Sequence, residues 1–227
     1  MDKGFKAELN YWDKELSLKG SYPDAILNRT VKGRKSFEFP IYIIRELDAL
    51  CLKFKRKPRT LDLGSGAVSQ LSWGQDTRII KLICADPLAE EYKKLHEKYK
   101  IKINYDFVKC YGEELTKEFK ENYFDFVWIH NSLDHSQNPN KVMDEVFKVL
   151  NPGGIIYLQG WENEGKHWNY SGLHQNDISE VDGTLYVNKD TKLFSKQVEE
   201  GLELVDKFFP TYGKRRWLKL IYKKSEK

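Results

Sequence analysis

The hydrophobic period of this chain changes near residue 59. Before it, apolar residues recur at helical spacing. Phe5, Leu9, Trp12 and Leu16 mark one face of an amphipathic helix that stops at Gly20. Phe39 to Phe54 forms a second helix, with Ile43, Leu47 and Leu50 on one side and Pro58 closing it off. Residues 21–36 carry no such pattern and read as loop. From Arg59 short apolar runs take over, at Thr60–Leu63, Ile79–Ala85, Tyr105–Val108, Phe124–Ile129 and Ile155–Gln159. Helical patterns lie between them, clearest at Leu88–Tyr99 and Lys141–Leu150, and Asn151-Pro152-Gly153-Gly154 reads as a helix stop and a turn into a strand. Strands alternating with helices predict parallel βαβ units and a doubly wound α/β sheet. The tail differs: Leu193–Glu200 is helical as far as Gly201, and Leu202–Phe208 and Trp217–Tyr222 read as strands joined through Pro210 to Gly213. A hairpin there predicts an antiparallel last strand.

Composition narrows the function classes. A chain of 227 residues without internal repeats is expected to form one domain. No apolar run approaches membrane-spanning length, and Met1 to Lys6 lacks the apolar stretch of a secretory signal. Cys51, Cys84 and Cys110 are scattered and show no metal spacing, so a reducing cytoplasm is expected and no metal. The net charge of +4 is mild, and the basic clusters at Lys53 to Arg59 and Lys214 to Arg216 are short. They read as solvated faces, so neither nucleic acid nor membrane is expected as a partner. The oligomeric state stays open.

Chemistry concentrates where strands end. Thr60 to Ala67 is a strand running into a glycine turn. Gly64 and Gly66 permit positive φ and close backbone approach to a ligand, and Asp62 could accept hydrogen bonds from a ligand amino group. Such a loop after the first parallel strand is where nucleotide-like cofactors bind. Asp86, in Ile83 to Pro87, ends the second strand about twenty residues later. It can bind both hydroxyls of a ribose, cap the following helix, or do both. In Tyr111-Gly112-Glu113-Glu114-Leu115, a backbone amide and a carboxylate could read an adenine edge; an acidic first turn of a helix explains Glu114 equally well. The strand Phe124–Ile129 ends in a polar cluster, His130, Asn131, Asp134 and His135.

Together with the Asn-Pro-Gly-Gly turn, these elements resemble the class I S-adenosylmethionine (SAM)-dependent methyltransferases over roughly Arg59 to Gly160. The resemblance implies a Rossmann-like, doubly wound seven-stranded sheet with an antiparallel last strand, preceded here by the N-terminal helical lead-in. It divides the single domain into lead-in and cap (1–58), cofactor-binding core (59–160), lid-like insertion (161–192), and C-terminal helix and strands (193–227). It implies SAM as cofactor. Asp62, Gly64, Ser65 and Gly66 would surround the methionine moiety, Asp86 and Pro87 the ribose, and Gly112 and Glu113 the adenine. His130 would lie beneath the sulfonium, and Trp12 could supply an aromatic face or pack in a helix–sheet core. Two departures stand out: Val68 replaces a frequent third glycine, and Tyr111 replaces a frequent acidic residue. A dinucleotide oxidoreductase would more often show a glycine at Ser69.

For the acceptor, the sequence offers His135 as a base, with Asp134 beside it and His130 near; His135 could equally cap its loop. Trp161 to Asp182 is polar and aromatic, and His174 within it is a second base or metal-ligand candidate. Tyr11, Arg29, Arg34, Asn131, Trp161 and His174 are candidate substrate contacts, the arginines for a phosphate or carboxylate. No Asp-Pro-Pro-Tyr-type run follows the fourth strand, which disfavours DNA and glutamine amino methylation. The expected partner is a small molecule. The patterns Asn131-x-Leu133-Asp134-His135 and Asp86-Pro87-Leu88-Ala89-x-x-Tyr92 resemble those of bacterial sugar-modifying methyltransferases, which implies O-methylation of a sugar or phosphorylated metabolite in surface-polysaccharide biosynthesis. An RNA or protein methyltransferase and a non-catalytic SAM-binding protein are the alternatives.

Overall fold

The structure, a computed structural model, describes residues 3–23, 41–72, 75 and 79–226. These gather into two compact units, one ending at Cys110 and the other beginning at Tyr111.

In the first unit, α1 (Lys3–Leu16) buries Trp12 and Leu16. Its exit is held by Glu15, whose carboxylate accepts from the backbone N–H groups of Ser21 (2.7 Å) and Tyr22 (3.0 Å). The helix ends at Leu16, short of the expected Gly20; a Cβ on Gly20 would fall 2.2 Å from that carboxylate carbon, so Gly20 is fitted to the Glu15 carboxylate beyond the helix. α2 (Ile41–Phe54) buries Ile43, Leu47 and Leu50, the stripe read from the sequence. β1 (Arg59–Leu63), β2 (Lys81–Asp86) and β3 (Asp106–Lys109) run parallel, with β2 in the middle. Nearly every residue of β1 and β2 is buried, the polar Thr60, Asp62 and Asp86 included. α3 (Ala89–Tyr99) packs Tyr92 and His96 against Phe107 of β3 and ends with Lys100 at φ 54.

In the second unit, β4 (Phe124–His130) pairs parallel with β5 (Leu150–Trp161), and β11 (Arg215–Lys224) pairs antiparallel with β5. β9 (Leu202–Phe208) lies on the far side of β11, and the two-residue β10 (Thr211–Tyr212) folds back on β11. The short helix α4 (Leu115–Glu118) follows a 3-10 turn at Gly112–Glu114. α5 (Pro139–Val149) starts at the N-cap Asn138, whose side chain accepts from Lys141 N–H (3.1 Å), with Pro139 at the first position.

Asn-Pro-Gly-Gly is not a free turn between α5 and β5. It lies inside β5 as an irregularity: Phe124 pairs with Leu150, but Phe126 pairs with Ile155. Asn151 anchors it by donating to Asp125 Oδ1 (2.7 Å), and Gly153 adopts φ 72. The stretch beyond β5 is also more ordered than a loop. It holds the one-turn helix α6 (Glu164–His167) and an antiparallel sheet of β6 (Ile178–Val181), β7 (Thr184–Val187) and β8 (Thr191–Lys192). α7 (Ser195–Glu199) leads into β9.

The seven strands read from the sequence are thus β1 to β5, β9 and β11, with the last antiparallel. Among the described residues no helix is long and apolar enough to cross a membrane.

Candidate functional site

Chemistry-bearing residues lie in both units. In the first, β1 ends in Gly64 (φ 68) and Gly66 (φ 62). Gly64 N–H donates to Ala85 O (2.8 Å), which ties the turn to β2. Asp86 is 6% exposed. Its Oδ2 accepts from Gly66 N–H (3.1 Å) and its Oδ1 from Leu88 N–H (2.9 Å). It therefore anchors both the glycine turn and the entry to α3, and each oxygen keeps lone-pair capacity for a hydroxyl donor. Burial pushes its carboxyl up to about 7. The two backbone donors oppose the rise, and the charges of Glu8 and Asp62 add to it.

The place of the missing third glycine is explained here. Val68 is fully buried, and Ser69 donates its hydroxyl to Asp62 Oδ2 (2.5 Å) while its own N–H donates to Tyr105 Oη (3.1 Å). Asp62 is held by this serine rather than left to swing. Buried His96 contacts Ala67 O through Nε2 (2.6 Å). A carbonyl only accepts, so Nε2 carries the proton; burial lowers the pKa of His96 and keeps the ring neutral. Ser69, Tyr105 and His96 were not singled out from the sequence. Only Ser69, by standing in a glycine's place, carried a signal.

Trp12 lies against the turn: a Cβ on Gly66 would fall 2.1 Å from Trp12 Cζ2. Its indole N–H donates to Glu8 (2.9 Å), and Tyr11 stands edge-on to it at 5.4 Å, 42% exposed. Ser65 donates its hydroxyl to Gly66 O (3.1 Å), and Pro87 is half-buried. Arg29 and Arg34 lie outside the described residues.

In the second unit, Gly112 opens the 3-10 turn. Glu113 Oε1 accepts from the N–H groups of Gln137 (2.8 Å) and Asn138 (3.1 Å), so this carboxylate also braces the start of α5. His130 ends β4, its Nδ1 2.5 Å from Gln159 Nε2 and its ring between Trp128 (6.0 Å) and Trp217 (5.5 Å). Asn131, at φ 50, accepts from Trp161 N–H (3.2 Å). Trp161 is edge-on to Trp217 and Tyr212, with the Arg215 guanidinium 4.4 Å from its ring centre.

Forty residues apart, His174 and Asp134 come together. His174 Nδ1 lies 2.7 Å from Asp134 Oδ2 and 3.1 Å from His135 Nε2. The backbone carbonyl of Asp134 accepts from Gln175 N–H, Asn176 N–H and Asn176 Nδ2, and Asn176 Nδ2 also reaches Ser136 O (2.7 Å). Trp168 stacks on His174 at 5.5 Å. Asp134 is buried, while His135 and His174 keep about a fifth of their side-chain surface exposed, 20% and 21%. Of the histidines singled out, His135 and His174 meet here, and His130 pairs with Gln159.

Residues 61–158 match the family model described as a methyltransferase domain. They are a SAM-dependent, class I methyltransferase domain. Its fold is that of a candidate sarcosine dimethylglycine methyltransferase from Galdieria sulphuraria (TM-score 0.54, 15% identity, 81% of this chain and 86% of that one). Similar in sequence are sterol 24-C-methyltransferase ERG6 of Saccharomyces cerevisiae (27% over 153 residues, 65% of this chain and 39% of that protein) and phosphoethanolamine N-methyltransferase 2 of Caenorhabditis elegans (26% over 110 residues, 46% of this chain and 24% of that protein). The chain thus spans less than half the length of these curated relatives. The methyltransferase domain of this chain carries both the glycine turn and the β4 cluster within the matched residues; His174 lies beyond them.

Proposed function

We propose that this protein transfers the methyl group of SAM to an oxygen of a small polar acceptor, a sugar or a phosphorylated metabolite. The observation that carries the acceptor side is the joining of Asp134, His135 and His174 into one partly exposed cluster.

SAM supplies an electrophilic methyl carbon on a sulfonium. The residues of the first unit fit it: two positive-φ glycines admit close backbone approach, and a buried carboxylate with remaining acceptor capacity suits the vicinal hydroxyls of a ribose. On this reading Asp86 takes the ribose, and the Gly64–Gly66 turn with Asp62 takes the methionine end. Methyl transfer is an in-line displacement: an acceptor lone pair forms the new O–C bond as the C–S bond breaks toward sulfur. A hydroxyl must lose its proton during that displacement, and the histidine cluster is where the proton goes. Trp168, 49% exposed beside the cluster, suits the apolar face of a small ring.

The test is a screen of sugars, nucleotide sugars and phosphorylated metabolites, with phosphoethanolamine and a sterol included, reading demethylated SAM by mass spectrometry. Turnover of a sugar or phosphorylated hydroxyl acceptor is expected. His135→Ala and His174→Ala should then lower kcat by about 10²-fold or more while leaving SAM affinity unchanged. Turnover only of the sterol, the amine, RNA or protein would overturn the acceptor class. Unchanged kcat in both variants would remove the cluster from the reaction.

A further inference from the structure

We propose that Asp134, His135 and His174 form a binding site for one divalent transition-metal ion of the zinc type, which holds and acidifies the acceptor oxygen. The identification of the acceptor oxygen as the metal's ligand rests on the methyl-transfer reading above; the metal site itself does not.

The geometry is a closed triangle of ligand atoms. Asp134 Oδ2, His135 Nε2 and His174 Nδ1 stand 2.7, 3.1 and 3.6 Å from one another. Hydrogen bonds cannot satisfy that arrangement well. A neutral imidazole carries one N–H, so a proton on His174 Nδ1 directed at the carboxylate is misdirected for His135 Nε2 at 3.1 Å. A cation satisfies all three edges together. A point about 2.1 Å from each of the three atoms lies roughly 1 Å off their plane, at zinc–nitrogen and zinc–oxygen distances and with one side left open. Two imidazoles and one carboxylate with an open position are a catalytic zinc donor set. The metal-ligating atoms of this trio all lie within 4.8 Å of one another.

The site is also built. Three hydrogen bonds converge on the Asp134 carbonyl from Gln175 and Asn176, locking the 3-10 turn at Leu133–His135 to the His174 loop. Trp168 fixes the His174 ring plane, and its own N–H is held by Glu164 Oε1 (2.5 Å). Such outer contacts orient ligands before the metal arrives. The partial exposure of both histidines leaves the open position accessible. A hydroxyl bound there would lose its proton to solvent water near neutral pH, with His135 and His174 then acting as ligands in place of bases.

The experiment uses the full chain, stripped with a chelator and titrated with Co²⁺ alone, without donor or acceptor. Uptake is expected to saturate at one equivalent with visible d–d absorption and no thiolate charge-transfer band, and Zn²⁺ should displace it. In nitrogen-15 spectra, Zn²⁺ should move His135 Nε2 and His174 Nδ1 while His96, His130 and His167, the rest of the five histidines, stay put. The variants His135→Ala and His174→Ala should lose uptake at least tenfold. No uptake by the wild type, or uptake that leaves both histidine signals unmoved, would overturn the proposal; the wild-type spectra decide it even if a variant fails to fold. Failure here leaves methyl transfer standing with His135 or His174 as base. Failure of SAM binding leaves the metal result untouched.

Discussion

Gly66 is constrained twice, by a φ of 62 and by the indole of Trp12, which a Cβ would meet at 2.1 Å. The two constraints can be separated. Gly66→Ala should cost about 2–5 kcal/mol in urea unfolding, from a left-handed alanine (about 1–2) and overpacking (about 1–3). In a Trp12→Ala background the same change should cost only the left-handed part, about 1–2 kcal/mol. Equal costs in both backgrounds would show that Trp12 does not press on the turn. Asp86 is constrained chemically. Its carboxyl titrates near 7 in the free protein because burial disfavours its charge. A folded-state pKa above the unfolded one contributes stability that is complete at low pH and lost as pH rises toward 7. Ribose hydroxyls need the opposite form, the carboxylate, so cofactor binding should strengthen over that same rise. The sequence showed Asp86 and the glycines plainly. It marked Ser69 only as a replaced glycine and did not show Tyr105 or His96, because a side chain that holds a neighbour's backbone or carboxylate leaves no periodic trace.

Among the elements, α4 and α5 are joined by one carboxylate. Buried Glu145 accepts from the Thr116 N–H (2.9 Å) and hydroxyl (2.5 Å), and from Lys148 (2.9 Å) and Lys141 (3.1 Å). Burial alone would raise its pKa, but the donors from Thr116, Lys148 and Lys141 outweigh it and hold the carboxyl down at about 2. A depressed folded-state pKa contributes stability that is present above the unfolded value and lost as pH falls toward 2. Glu145→Gln should therefore destabilise the protein at neutral pH and make its unfolding less sensitive to acid below about pH 5. Parallel acid titrations of the two proteins would contradict this. At this scale the sequence was most legible: long periodic runs such as Leu88–Tyr99 and Leu202–Phe208 fall within a residue of α3 and β9. The exceptions have physical reasons. Asn-Pro-Gly-Gly reads as a turn by composition, yet Asn151 finds Asp125 across the strand pair and the segment stays inside β5. β6, β7 and β8 have four, four and two residues, too few for an alternating pattern to rise above their loops.

For the whole molecule, the order of motifs carried the family, while the acceptor cluster required folding to see. Asp134 and His135 are sequence neighbours, but nothing in the spacing of His174 places it beside them. That meeting depends on Asn176 and Gln175 capping the Asp134 carbonyl. On the proposed function, the SAM donor is gripped by the Gly64–Gly66 turn and Asp86. Calorimetric titration with S-adenosylhomocysteine tests it most directly. One site is predicted, with affinity rising between about pH 6 and about pH 8 and falling at least tenfold at the higher pH in Asp86→Asn. No binding at millimolar ligand, or binding indifferent to both pH and Asp86→Asn, would contradict the account.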